Sequence, residues 1–285
     1  MQVYFVGVNT PNGKFLPAAY LLLPSKCEDT YHQAFSALVN SLEDVSHVVK
    51  FSADFERRSV HNVVEDLFEN ATIDGCRFHY KQCVYKNMGL AGCIPVFNNV
   101  QPFRQIMDRL YALSFVHDHQ VVHVYEQYVA PLFEEHQGLW TNQQGGGFRE
   151  EVARFKSYYE KAWIGAEVRN RGRRNPTWAI TKWNKFDQVM AEDFVLTNNG
   201  NEVFNSSWVP TLPKNATVWS VIKGFQREEA MARVSHSEYI RDVHQSHNSS
   251  RTKNQHEKMR QLHSLCSKWD KSTVNEYLDS VIALI

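Results

Sequence analysis

The sequence predicts a mixed α/β protein. Three observations carry that reading. Two apolar runs at the start are joined by turn chemistry. A strand and helix succession follows from His47 to Gly89. From Gln101 to about Glu135, helix follows helix with no convincing strand between.

Met1 to Val8 and Leu16 to Leu23 are almost wholly apolar and flank Thr10-Pro11-Asn12-Gly13, so they read as an antiparallel hairpin of buried strands. Asp29 is placed to cap a helix in which Tyr31, Phe35, Leu38 and Leu42 recur at helical spacing. Val48, Val49 and Phe51 then form a strand that ends at a carboxylate, Asp54. A helix marked by Val60, Val63, Val64 and Leu67 follows, then a short strand and a helix opening on Gly75-Cys76-Arg77-Phe78-His79. Phe103, Ile106, Leu110 and Leu113 share one helix face, with Val121 to Phe133 behind them. Thr141 to Gly147 is a polar loop, and Phe148 to Ala162 is again helical. A short helix over Glu202 stops at Pro210, and Val218 to Val234 forms another. Ser235 to Gln261 is polar, and Leu262 to Ile285 is a closing helix.

Composition narrows the function classes. At 285 residues with 43% apolar content the chain can bury a real core. Lys plus Arg equals Asp plus Glu at 31 each, so no global field draws the protein to nucleic acid or membrane, and any such binding must be local. Five irregularly spaced cysteines argue against a disulfide framework and for a reducing, intracellular compartment. The run from Phe15 to Pro24 is too short to span a membrane and lacks a basic start, so the Asn-x-Ser/Thr sequons at Asn70, Asn205, Asn215 and Asn248 carry little weight.

Three constellations could carry chemistry. Asp54 stands at the carboxyl end of a strand, where open α/β sheets gather ligands, and is equally a cap for the following helix. With Glu202 it could serve a two-metal phosphoryl-transfer site, which needs converging carboxylates around hard divalent ions. Two unrelated surface acids are the plainer reading. Cys76 and His79, with Cys83 a turn beyond and Cys93 further on, have zinc-compatible chemistry, set against small core cysteines. His117, His119 and His123 lack the acidic partner of the zinc-protease motif and read as solvated histidines. Finally, RNRGRRNPTWAITKWNK carries Arg169, Arg171, Arg173, Arg174, Lys182 and Lys185 with no acid, and interleaves Trp178 and Trp183. Such a stretch can track a phosphate backbone and stack on bases, or it can be a solvated loop with two core tryptophans. P-loops, nucleophile elbows and dinucleotide fingerprints are absent.

Several of these segments, in order, resemble the transposase domain of Mutator-like elements (MULE transposases). They are VYFVGVNTPNGKFLPAAYLLLPSKCEDTYHQAF, SADFERRSVHNVV, GCRFHYKQCVYKNMGL, LYALSFV, WNKF from Trp183, and LTNNGNEVFNSSW from Leu196. The resemblance covers roughly Met1 to Val234. It implies an RNase H-like mixed sheet with an all-helical insertion and a helical C-terminal tail. The expected divisions are 1–95 for the first RNase H-like part, 96–195 for the insertion, 196–235 for the returning part and 236–285 for a polar segment and closing helix.

The resemblance also implies metal-dependent phosphoryl transfer on DNA in transposition. It makes Asp54 the second catalytic Asp, Glu202 the Glu, and Cys76 with His79 the family's Cys-x-x-His signature. Mg²⁺ or Mn²⁺ is the implied cofactor, DNA the partner and the nucleus the location; self-association is left open, with no membrane and no small-molecule cofactor. The family's first catalytic Asp lies on a strand ahead of the segment matching Gln2-Val3-Tyr4, whereas no acid precedes Glu28 here, and Leu196 replaces the usual Arg before Thr-Asn-Asn. The expectation is a truncated or domesticated remnant with little strand-transfer activity. The alternative is a non-catalytic module that binds DNA or protein.

Overall fold

A computed structural model describes residues 2–10, 15–55, 58–140, 147–169, 172–193, 196, 199–241, 250–271 and 273–285. In chain order the elements are β1 (Gln2–Asn9), β2 (Phe15–Leu23), α1 (Glu28–Asn40), β3 (Lys50–Ala53), α2 (Arg58–Leu67), β4 (Thr72–Gly75), α3 (Arg77–Leu90), α4 (Ile94–Asn99) and α5 (Gln101–Ala112). After two 3-10 turns come α6 (Val121–Val124), a π-helical turn (Tyr125–Val129), α7 (Ala130–Glu135) and α8 (Arg149–Tyr159), which runs into a second π turn at Glu160–Ile164. The remainder is β5 (Glu167–Val168), β6 (Gly172–Arg173), α9 (Ile180–Trp183), α10 (Phe186–Met190), α11 (Asn199–Trp208), α12 (Val218–Arg241), α13 (Ser250–Cys266) and α14 (Val274–Leu284). Helix dominates, and the described strands form three two-stranded sheets, β1-β2, β3-β4 and β5-β6.

The chain divides into two compact units: Met1–Ile73 with Thr197–Ser250, and Asp74–Leu196 with Arg251–Ile285. The first division therefore falls at 73/74 rather than at 95, and the closing residues belong with the second unit.

In the first unit, β1 and β2 pair antiparallel as the two apolar runs predict, mostly half-buried rather than buried, with a bulge at Val6/Gly7 where Ala18 is the extra residue. Of the turn residues read in the sequence, Pro11, Asn12 and Gly13 lie outside the described residues. Tyr31 and Phe35 of α1 and Val60, Val63 and Val64 of α2 meet Leu23, Ala53, Phe68 and Ile73 in one core. The α1 cap differs from expectation. Cys27 is the N-cap residue and Asp29 sits in the first turn, where its charge suits the helix dipole. A second aromatic cluster ties the returning helices to the hairpin: Phe5 packs edge-on against Phe204, Trp208 and Phe225, and Tyr20 lies against Phe225.

In the second unit, the face read on α5 is fully buried, as are Tyr80, Tyr125, Phe155, Tyr159, Trp163 and Trp183 around it. The expected single closing helix is two, α13 and α14, separated by a 3-10 turn at Trp269–Lys271. Thr273 starts α14 with a capping box to Glu276, which satisfies two backbone donors and explains why the chain re-enters helix there. Arg109 of α5 then donates to Asn275 and Asp279, at 2.8 and 3.2 Å. The polar segment from Ser235 is not separate at its start, because α12 runs on to Arg241.

Candidate functional site

β3 ends at Ala53, and Asp54 follows it directly, where the backbone leaves the sheet. The Asp54 carbonyl accepts from His61 Nε2 of α2 at 3.2 Å, which fixes the strand end against the helix that follows. That helix begins at Arg58, four residues on, so Asp54 is not its N-cap.

Asp54 lines a cavity of about 310 Å³ inside the first unit, with Gln2, Val3, Tyr4 and Phe5 of β1, Ser52 and Ala53 of β3, Lys26, Tyr31, Val60, and Asn201 and Asn205 of α11. The lining by consecutive residues is informative. Side chains alternate across a strand, so four successive residues of β1 and three around the end of β3 reach one cavity only along their backbone edges. Among the described residues neither edge pairs with a further strand.

The cavity's chemistry is oxygen-rich and of mixed charge. Asn201 Oδ1 is buried and no described protein group hydrogen-bonds it. An acceptor left so costs about 1–3 kcal/mol unless a donor or cation meets it. Glu202 follows Asn201 on α11, is half-buried and belongs to the same unit, but it is not among the cavity's lining residues. Asp54 likewise enters no group of three or more clustered ligating side chains among the described residues. The structure thus brings Asp54 to the α11 turn that bears Glu202 without joining the two carboxylates. Lys26, Asn201 and Asn205 were missed as site residues. The only signal for the asparagines was their flanking of Glu202 within LTNNGNEVFN.

Cys76 and His79 lie in the second unit, Cys76 buried as the N-cap residue of α3 and His79 half-buried in its first turn. Cys83 does not complete a three-ligand group with them. Burial pushes the Cys93 thiol up to about 12, the behaviour of a core cysteine rather than a ready metal thiolate. Between Cys76 and His79, burial pulls the Arg77 guanidinium down to about 10 as it lies over the Phe115 ring at 4.8 Å.

Two cations of the basic stretch, Arg173 and Lys185, are turned inward. Arg173 donates to Glu126 at 2.7 Å and to the Gly165 carbonyl at 2.6 Å, and its guanidinium lies over the Tyr125 ring. Lys185 is only 2% exposed and lies 3.8 Å from Asp74. A cation held in this way cannot reach a phosphate backbone, which corrects the reading of Arg173 and Lys185 as nucleic-acid contacts. Trp183 is buried and stacked on Tyr80, so it offers no open platform for bases, while Trp178 is half-buried with one face stacked on Trp163. Arg169 and Arg174 remain exposed, Lys182 is half-buried, and Arg171 lies outside the described residues. The cause is the β5-β6 pairing, which sequence reasoning did not find. It runs back past Gly165, whose φ of 102° and close approach to the Arg174 carbonyl leave no room for a Cβ.

Fold and site together define an α-rich protein of two units, one of which carries an acid-bearing cavity between two open strand edges. No protein-family model, curated protein or solved structure matches the chain. Among the described residues no helix is long and apolar enough to cross a membrane.

Proposed function

We propose that the first unit is an RNase H-like domain of the MULE-transposase type, acting in the nucleus on DNA through a divalent ion held by carboxylates that include Asp54 and Glu202. The observation that carries this reading is the cavity itself. A strand-end aspartate and the two asparagines that flank Glu202 on α11, Asn201 and Asn205, 147 and 151 positions away in sequence, line one cavity of one unit.

The open edges support the same reading. A strand inserted between β1 and β3 would join the two sheets in the order β2, β1, inserted strand, β3, β4. The family places its first catalytic Asp on a strand ahead of the segment matching Gln2-Val3-Tyr4.

The donor set fits the ion. Asp54 and the unpartnered Asn201 Oδ1 are hard oxygen ligands of the kind Mg²⁺ and Mn²⁺ prefer, and Glu202 would add a second carboxylate after a rotation of the α11 turn. A bound ion would polarise a phosphate oxygen and lower the pKa of a water nucleophile. Lys26, which also lines the cavity, would add positive charge for a phosphate. Asp54 and Glu202 match two of the three family carboxylates, and two carboxylates by themselves hold a divalent ion weakly.

Mn²⁺ binding followed by water-proton relaxation, alongside nicking of supercoiled DNA in Mg²⁺, tests this. The expected result is weak Mn²⁺ binding that Asp54→Asn and Asn201→Ala each reduce by about tenfold, with nicking near background. Mn²⁺ binding indifferent to both substitutions overturns the site. Robust nicking abolished by Asp54→Ala keeps the site and overturns the shortfall.

A second reading, a protein-binding module without catalysis, is favoured by α12, where Trp219, Met231, Val234 and Ile240 are all exposed, Trp219 at 75%.

A further inference from the structure

Asp118 and His119 open the second of the two 3-10 turns between α5 and α6, in the second unit, and His117 is the residue that caps it. His117 Nδ1 stands 3.1 Å from Asp118 Oδ1 and His119 Nδ1 3.5 Å from the same oxygen. The three ligating atoms all lie within 4.8 Å of one another. The two imidazole rings are 4.0 Å apart, tilted by 52°.

Hydrogen bonding alone accounts poorly for this convergence. Asp118 Oδ1 accepts the His119 backbone N–H at 2.6 Å and meets His117 Nδ1 at 3.1 Å, which fills its roughly two lone-pair positions, so the approach of His119 Nδ1 to 3.5 Å is not accounted for by a third hydrogen bond. A cation resolves the crowding, because each nitrogen and the oxygen then direct a lone pair at one centre. The two nitrogen-to-oxygen spacings are compatible with this. With metal–ligand bonds of about 2.1 Å, neighbouring donors stand roughly 3.0 Å apart in an octahedron and 3.4 Å in a tetrahedron, which brackets the shorter contact and nearly meets the longer.

The turn is also held rigidly. Leu113, Ser114, Phe115 and Val116 before it and Val121 after it are fully buried. Asn184 Nδ2 donates to the Val116 carbonyl and the Lys185 N–H to the Ser114 carbonyl, both at 2.6 Å. The His117 ring packs on Phe186 at 4.8 Å. Ligands mounted on such a frame lose little freedom when they bind.

We propose that His117, Asp118 and His119 form a two-histidine, one-carboxylate site for an imidazole-preferring divalent metal of the zinc class, with its remaining positions open to water. The openness follows from the side-chain exposures, 35% for His117 and Asp118 and 64% for His119. Three protein ligands with an open position characterise zinc sites that present a water or substrate, rather than closed structural ones. His123, exposed one turn further on α6, stands outside the group and serves as an internal control. The site is independent of Asp54 and Glu202, so it stands or falls apart from the transposase-type reading.

The test is competition of the whole chain with a chromophoric zinc indicator, paired with the absorption spectrum of the Co²⁺-loaded protein. One equivalent of Zn²⁺ should bind. His119→Ala and Asp118→Asn should each weaken binding by about tenfold or more, and His123→Ala should leave it unchanged. The Co²⁺ spectrum should show d–d bands without a thiolate-to-cobalt charge-transfer band. Failure of the wild-type chain to compete overturns the proposal. So does affinity retained in His119→Ala, an exposed position whose substitution leaves the buried frame intact, and so does a thiolate band, which would assign the metal to cysteine.

Discussion

The Phe15 side chain lies so close over Gly200 that a Cβ at position 200 would fall 2.6 Å from the ring and 2.8 Å from the Phe15 Cβ. Because the near atoms include the base of the side chain, the ring cannot simply swing aside. This contact seats the first turn of α11, and with it Asn201 and Glu202, on the β-hairpin. Gly200→Ala should therefore cost about 1–3 kcal/mol by overpacking. Phe15→Ala in the same chain should recover part of that loss, since it removes the two nearer atoms, Cγ and Cδ2, and leaves only the Cβ contact. Chemical denaturation of the two single variants and the double variant measures the coupling. Strictly additive effects would show that the contact does not seat the helix.

Tyrosine burial gives the fold an alkaline limit. Tyr80 and Tyr159 share a hydroxyl–hydroxyl hydrogen bond of 2.8 Å, and both lie within reach of the Leu110 carbonyl. Burial raises both phenols well above the ordinary value and likewise raises Tyr111, Tyr125 and Tyr277; Tyr20 and Tyr158 are pushed up to about 12. In the unfolded chain these phenols ionise near about pH 10. Above that pH the unfolded state sheds protons that the folded state keeps, so stability falls as pH rises. It is present in full below about pH 10 and is lost progressively as pH climbs toward the folded values. Tyrosinate absorbance and circular dichroism followed together should show the buried tyrosines ionising with loss of structure. Ionisation of these tyrosines near pH 10 in a still-folded protein would contradict the burial argument. Tyr159→Phe, which leaves Tyr80 its bond to Leu110, should cost only about 1 kcal/mol.

How much of this was legible in the sequence depended on how local each signal was. The β1-β2 hairpin and the α5 face were readable because apolar runs with turn residues between them, and helical spacing, are written in nearby residues. The buried side chains Phe103, Ile106 and Leu110 fall where the periodicity put them. Asp54 at a strand end was readable for the same reason. What decided the rest was distant. Arg173 is turned inward by Glu126, 47 positions earlier, and Asn201 matters because it meets a strand 148 positions before it. The two-residue strands β5 and β6 are too short to show an alternation, and the acid needed at His117 and His119 stood between them rather than at the spacing of a familiar motif.

The basic stretch offers the last discrimination, between structural and DNA-facing cations. Arg173 is 12% exposed and satisfies Glu126 and the Gly165 carbonyl, whereas the neighbouring Arg174 is exposed. Arg173→Ala should lower stability by roughly 1–3 kcal/mol, because it leaves a buried carbonyl and a partly shielded carboxylate without their donor. Arg174→Ala should leave the melting temperature nearly unchanged. If the protein binds DNA along this stretch, the order reverses in a salt titration by fluorescence anisotropy. Arg169→Ala and Arg174→Ala should each weaken binding and flatten the slope of log K against log salt by about one unit, as expected for a lost phosphate contact. Arg173→Ala, compared at equal folded fraction, should leave that slope intact. A slope reduced as much by Arg173→Ala as by Arg174→Ala, with no loss of stability, would mean that Arg173 leaves Glu126 to reach the phosphate, and the inward assignment would fail.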